Sequence, residues 1–223
     1  MSESALSKSA ISKSGRRSAT LVRETNLVQP GKAETLSDDW INLTRYTYRE
    51  NQSGVWRKQV REVHDHGHGV CALLHNADTD TVLLTRQFRL PIFLAGDEGP
   101  LVEVPAGLLE GADPAERVAL EVEEETGFRV ADLTHLYDLY MSPGSVTERV
   151  SFYLGSYSAK DRVSEGGGVA DEGESIEVVE MPFKDALAAI GTGDMKDGKT
   201  AVLLQHLALI KANRHCNEAT ASL

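Results

Sequence analysis

Polar and apolar residues alternate through LVRETNLV, WINLTRYTYRE and WRKQVREVH, three runs rich in β-forming residues between Leu21 and His64. A period of two puts successive side chains on opposite faces, so each run predicts a strand and the three together a small antiparallel unit. GVCALLH and TVLLTRQFR follow, split by the turn-forming NADTD, and predict a hairpin. A loop holding Gly96 and Gly99 leads to the short strand LVEVP and then to AGLLEGADP. The pattern then turns helical. Asp113 suits an N-cap, Pro114 the first helical position and Gly127 a left-handed stop, which predicts a helix from Pro114 to Thr126. Strands at THLYDLYM and TERVSFYLGSY, a long loop KDRVSEGGGVADEGES, a strand IEVVEM and two amphipathic helices, near FKDALAAI and from Lys199 to about Ala212, complete the chain. No internal repeat is visible. Strands first mixed with and then flanked by few helices predict an α+β or layered α/β/α domain.

The helix carries an unusual load. EVEEETGF, residues 121 to 128, sets four glutamates in five positions at a helix C-terminus. Like charges three and four residues apart repel by roughly 0.2 to 0.5 kcal/mol a pair, and the macrodipole is negative at that end. A solvated acidic face is the simpler reading of such a run. At about 100° per residue, however, Ala115, Val118, Ala119 and Val122 share one face, while Glu121, Glu124 and Glu125 share a neighbouring one and Glu123 points elsewhere. Three carboxylates beside the core, preceded by a glycine-containing loop, suit a hard divalent cation, and magnesium takes oxygen ligands while keeping waters for substrate phosphates. A bound metal would offset the repulsion.

Bulk properties narrow the classes. A chain of 223 residues holds one generous domain, or one domain with a small appendage. Its longest apolar runs are too short to span a bilayer, which argues against a membrane protein. The formal charge of −11 argues against nucleic acid as the main partner. Two cysteines, Cys71 and Cys216, build no disulfide framework, which fits a reducing cytoplasm. The first twenty residues are rich in serine and basic side chains and read as a disordered leader, with an organellar transit peptide as the alternative. HDHGHG, residues 64 to 69, would put His64, His66 and His68 on one strand face, but neighbours on a straight strand converge poorly on one metal, so zinc is not expected there.

AGLLEGADPAERVALEVEEETGF resembles the box of the Nudix hydrolases, and the resemblance runs from about Trp40 to Leu207. Within that superfamily VREVHDHGHGV, LLTRQFRLP, EVPAGLL, LYMSPGSVTE, GGGVADEGESIEV and MKDGKTAVLL are most similar to the GDP-mannose pyrophosphatase branch, close to the ADP-ribose pyrophosphatases. The resemblance implies an α/β fold, a Nudix α/β/α sandwich with a mixed sheet and a small N-terminal antiparallel unit. It divides the chain into a leader (1–20), a dimerising and possibly exchanged β unit (21–64), a hydrolase domain (65–215) and a tail (216–223). It also implies magnesium-dependent hydrolysis, manganese being a possible substitute, of a nucleoside diphosphate sugar by a homodimer. GDP-mannose is the expected substrate and ADP-ribose the alternative; a nucleotide-sugar-binding regulator without catalysis is the reading of another class.

The same resemblance implies residue roles. Glu121 and Glu125 become metal ligands with the Ala106 carbonyl and Glu174, and Glu124 a ligand through water. Glu172 becomes the general base, in a loop whose three glycines, Gly166 to Gly168, would let it close over substrate. Arg86 and Arg89 face the diphosphate, Arg89 being the better match. Arg61, Glu62, Glu148 and Lys199 become nucleotide-sugar contacts, Ala106, Gly107, Leu108 and Gly173 line the substrate, and Trp40 stacks on the base, although a core tryptophan is an equal reading. Two departures stand out. The spacing from Gly107 to Gly127 is one residue shorter than the common box, and Leu120 replaces the usual arginine that holds a box glutamate. The GDP-mannose branch shares both. Arg117, four residues before Glu121, is the expected substitute partner.

Overall fold

A computed structural model of the chain describes residues 24–169 and 175–221, the last seven by backbone alone. The leader, Glu172, Gly173 and Glu174 lie outside the described residues. Two units divide the rest: Glu24 to His68 with Tyr140 to Arg149, and Gly69 to Leu139 with the chain from Val150 onward.

The first unit is an antiparallel sheet in the order β1 (Val28–Asp38), β2 (Asn42–Gln52), β3 (Val55–Asp65). Of LVRETNLV, residues 21–23 lie outside the described residues, and among the rest β1 begins only at Val28. Thr25 delays it: its Oγ1 accepts from the Leu27 and Val28 amides at 3.1 and 3.0 Å, a side-chain turn that competes with strand pairing. The strand then continues through Pro30 and Gly31 because the register shifts between Pro30 and Ala33. Such a bulge admits a residue without an amide proton, and Gly31 packs directly on the Thr47 carbonyl.

In the second unit a mixed seven-stranded sheet runs β10 (Ile176–Pro182), β5 (Thr81–Gln87), β4 (Gly69–Asn76), β9 (Arg149–Ser156), β8 (Leu133–Tyr140). Short β6 (Leu101–Glu103) pairs with β5 and β7 (Ala106–Leu108) with β4. Only the β4–β9 pair is parallel among the registers seen. Helices cover both faces. Val70, Ala72 and Leu74 pack with Val118 and Val122 of α2 (Pro114–Thr126). The intervening Cys71 and Leu73 are equally buried and face the opposite way by the period of two. On that side α4 (Gly198–Ala221) buries Leu203, Leu204 and Leu207, and its His206 meets Tyr137, which also stacks on Phe152 of β9. α3 (Phe183–Thr192) packs beside α4. The α/β/α sandwich with a small three-stranded sheet therefore matches the expected fold class. No described helix is long and apolar enough to cross a membrane.

Two elements differ from the sequence reading. The loop before β6 contains a short helix, α1 (Leu90–Leu94), started by Pro91 and too brief to show a period. α4 also runs beyond Ala212, because no glycine or proline interrupts 199–221.

α2 is closed as predicted. Asp113 accepts from the Ala115 and Glu116 amides at 2.9 and 3.3 Å, and Gly127 turns left-handed at φ 78°. The glycines expected to hinge a closing loop have another task here. The Gly167 and Gly168 amides donate to the Glu125 and Glu124 carbonyls at 2.9 and 3.0 Å, satisfying orphan acceptors of the last helical turn. Gly166 lies so close to the Thr126 backbone that a Cβ would overlap it. Gly127 is equally confined by the Ser164 carbonyl. Gly127→Ala is expected to lose about 1–3 kcal/mol of stability through positive φ and this overlap. Urea unfolding measures it, and a loss below about 0.5 kcal/mol contradicts the packing.

Candidate active site

The core-facing side of α2 contains Val118, Glu121, Val122, Glu125 and Thr126. Glu121 and Glu125, 5 % and 4 % exposed, thus sit on the buried side itself and not beside it. Glu124 is half-buried and Glu123 turns away into a bidentate pair with Arg129, 2.7 and 2.6 Å. Burying two carboxylates one turn apart costs several kcal/mol unless cations and hydrogen bonds compensate them.

Part of that compensation is the predicted substitute pair. Arg117 Nη2 lies 2.5 Å from Glu121 Oε1, and Arg117 Nε donates to the Leu108 carbonyl at 3.1 Å. One guanidinium therefore fixes the carboxylate and ties α2 to β7. Leu120, in the place of the usual arginine, points to solvent at 46 % exposure. Gly107 completes the seat: the Glu121 carboxylate lies against its Cα, in the space a Cβ would fill. Ala106, Gly107 and Leu108 of β7 are thereby placed beside Glu121.

A second group of charges surrounds Glu103, the 3 % exposed last residue of β6. Arg89 Nε meets its Oε1 at 2.6 Å and Lys199 Nζ its Oε2 at 3.5 Å. Lys199 also pairs with Asp197 Oδ1 at 2.7 Å. Burial works against the charge of Arg89, but its hydrogen bond to Glu103, with Glu125 and Asp197 nearby, more than offsets this and raises its pKa. Lys199 follows the same logic: burial opposes, Asp197 and Glu103 prevail, and the pKa rises. Both stay cationic at every working pH. The influence of Glu125 on Arg89 links this group to the acidic face of α2. Arg86 is not in it, since its Nη1 grips both oxygens of Glu177 across the β5–β10 pair at 2.9 Å.

Glu103 and Asp197 were missed as site residues in the sequence. The available signal was an acid inside the apolar strand LVEVP, which must find a cation once buried.

The first unit gathers another set. Trp40 is 70 % exposed, its ring 6.4 Å from that of His66, and His66 Nε2 is 3.4 Å from Glu148 Oε1. The exposure removes the core-tryptophan alternative. Glu62 pairs with Arg45 at 2.7 Å, and Arg61 donates to the Val60 carbonyl at 2.8 Å. The His64 and His66 rings lie 5.0 Å apart, tilted by 35°, while His68 Nδ1 accepts from the Arg149 amide at 3.2 Å. Burial first, then the charge of His66, lowers the His64 pKa, which leaves it neutral near pH 7.

A NUDIX domain family model matches residues 65–204, which contain the α2 carboxylates, Arg117 and the Glu103 group. The chain belongs to the Nudix family. Curated relatives cover nearly as much of the chain as of themselves. A GDP-mannose pyrophosphatase of Pectobacterium atrosepticum is 48 % identical over 174 residues, 77 % of this chain and 89 % of the relative. Proteins of that name from Yersinia enterocolitica and Escherichia coli are each 44 % identical, over 78 % and 80 % of this chain and 92 % and 93 % of their own.

Nudix hydrolases generally use divalent metals. Among the described residues no three His, Cys, Asp or Glu side chains form a ready-made cage. The oxygen donors nonetheless fit a hard cation of the magnesium type, which binds through one or two carboxylates and completes its shell with water and phosphate. Glu121 and Glu125 are such a pair, and the glycine seat under Glu121 is a cradle that a side chain would fill.

In this Nudix protein Arg117→Ala should cost about 2–4 kcal/mol, because it strands a buried carboxylate. Glu121→Gln in the same chain should recover at least about 1 kcal/mol of it. Additive losses in a double-mutant cycle of urea unfolding would show that the pair is not coupled.

Proposed function

We propose that the protein hydrolyses the pyrophosphate bond of GDP-mannose, giving GMP and mannose 1-phosphate, with magnesium as metal and manganese as a workable substitute. The pairing of buried Glu121 and Glu125 on one side of α2 carries the reading of pyrophosphate chemistry. Identity of 44 to 48 % with proteins named GDP-mannose pyrophosphatase supports the sugar nucleotide.

Glu121 and Glu125, with the Ala106 carbonyl and Glu174, would hold the metal, and Glu124 would add a contact through water. When bound, magnesium neutralises charge on the diphosphate and lowers the pKa of water. Arg117 keeps Glu121 in one orientation, so the ligand set is organised before substrate arrives. Arg89 and Lys199 bind diphosphate oxygens, and Gly107 and Leu108 line the cradle. Glu172 takes the proton of the attacking water, whose oxygen bonds to one phosphorus as the bridging P–O bond of the anhydride breaks, and the other phosphate departs as its anion. Trp40 stacks on the base, while Arg61, Glu62 and Glu148 contact the nucleotide sugar. Arg86 reaches the diphosphate only by releasing Glu177. A cytoplasmic homodimer joined through the three-stranded unit belongs to this reading, and a monomeric mass in solution contradicts that part.

Incubation with magnesium and either GDP-mannose or ADP-ribose, followed by product identification, tests the assignment. GMP and mannose 1-phosphate are expected as the faster outcome; faster AMP and ribose 5-phosphate keeps the chemistry and moves the specificity. Glu121→Gln and Glu125→Gln should each remove most turnover, and Glu172→Gln should cost roughly 100-fold or more. Wild-type rates in all three refute the roles.

A further inference from the structure

Glu103 lies between two cations that the proposed function assigns to the substrate. Each of its oxygens takes a different one: Oε1 takes Arg89 Nε at 2.6 Å and Oε2 takes Lys199 Nζ at 3.5 Å. The two cations come from segments 110 residues apart in sequence (199 − 89), and nothing local would hold them side by side against their mutual repulsion. Glu103 itself is rigidly placed. Val104, the next residue, donates its amide to Thr200 Oγ1 at 2.8 Å. Thr200 in turn donates from its amide and hydroxyl to Asp197 Oδ2 at 2.9 and 2.7 Å. Asp197 caps α4 by that bond and offers Oδ1 to Lys199. The end of β6 and the start of α4 are thus locked in a short circuit of hydrogen bonds that contains both anions and one of the cations.

The geometry at Arg89 has a consequence for binding. Its pairing with Glu103 goes through Nε, which leaves the two terminal nitrogens as a fork of the shape that grips phosphate oxygens. A guanidinium held by its own elbow in this way has less rotamer freedom to lose when substrate arrives.

We propose that Glu103 is a positioning residue of the substrate cradle, holding Arg89 and Lys199 together so that both meet the diphosphate of the nucleotide sugar without touching substrate itself. This rests on the reading of Arg89 and Lys199 as diphosphate contacts.

Steady-state kinetics of the full-length protein with magnesium and GDP-mannose tests it. Glu103→Gln should raise KM roughly tenfold and change kcat by less than about threefold, since it loosens binding groups and leaves the metal carboxylates in place. Glu103→Asp, which keeps the charge with a shorter reach, should fall between the two. In an Arg89→Ala/Lys199→Ala background, adding Glu103→Gln should have little further effect on KM, because nothing remains for it to position. A KM that rises by the same factor in both backgrounds overturns the positioning role while leaving the cradle intact. Wild-type KM in Arg89→Ala/Lys199→Ala removes the cradle, and the inference with it. Should Glu103→Gln lack a cooperative thermal transition, Glu103→Asp decides alone: a folded protein with wild-type KM overturns the proposal.

Discussion

Two carboxylates held one helical turn apart inside the protein are the constraint around which the second unit is built. Glu121 and Glu125 are mutually repulsive, sit at the negative end of the α2 dipole and are buried against the sheet. Arg117 compensates one of them and in the same stroke tethers α2 to β7 through the Leu108 carbonyl. Gly107 makes room for the carboxylate, and Gly167 and Gly168 cover the last helical turn with backbone amides. Loop, strand and helix are therefore arranged about a buried charge pair, which the proposed function makes the seat of a divalent cation.

The replacement of the usual box arginine shows how little the scaffold needs to change. Moving the cation from position 120 to Arg117 shifts it by three residues, so it stays within one turn of Glu121, and Leu120 is left outside where its side chain carries no charge task. The Glu103 group is a second such arrangement in this unit: Arg89 and Lys199, which the proposed function gives to an anionic substrate, are kept charged and adjacent by buried acids. In both places a buried ion pair makes a weak case for stability and a strong one for a preset geometry.

Much of this is legible in the sequence. Asp113, Pro114 and Gly127 announce the limits of α2 because capping is local chemistry, and the i to i+4 spacing of Arg117 and Glu121 follows from helical period alone. The strands of the hairpin around NADTD were equally plain. Sequence was blind where the deciding contact is distant or competes with a pattern. Thr25 cancels an alternation that looked like strand, and α1 is too short to show a period. Glu103 and Asp197 acquire their meaning only when residues 89, 103, 197 and 199 meet. The triple glycine reads as a hinge in sequence, whereas positive φ and contact with α2 make it a clasp. Arg86 stood beside Arg89 as the weaker diphosphate candidate, and the β5–β10 register pairs it with Glu177.

On the proposed function, the acidic face of α2 is a destabilising arrangement kept for a divalent cation. Thermal unfolding with and without magnesium, in the wild-type chain and in Glu125→Gln, tests it most directly. The account predicts that magnesium raises the wild-type Tm, that Glu125→Gln without metal melts above wild type without metal, and that magnesium then adds little. A wild-type Tm indifferent to magnesium, with Glu125→Gln melting lower in both conditions, would mean that the carboxylate serves the fold and not a metal.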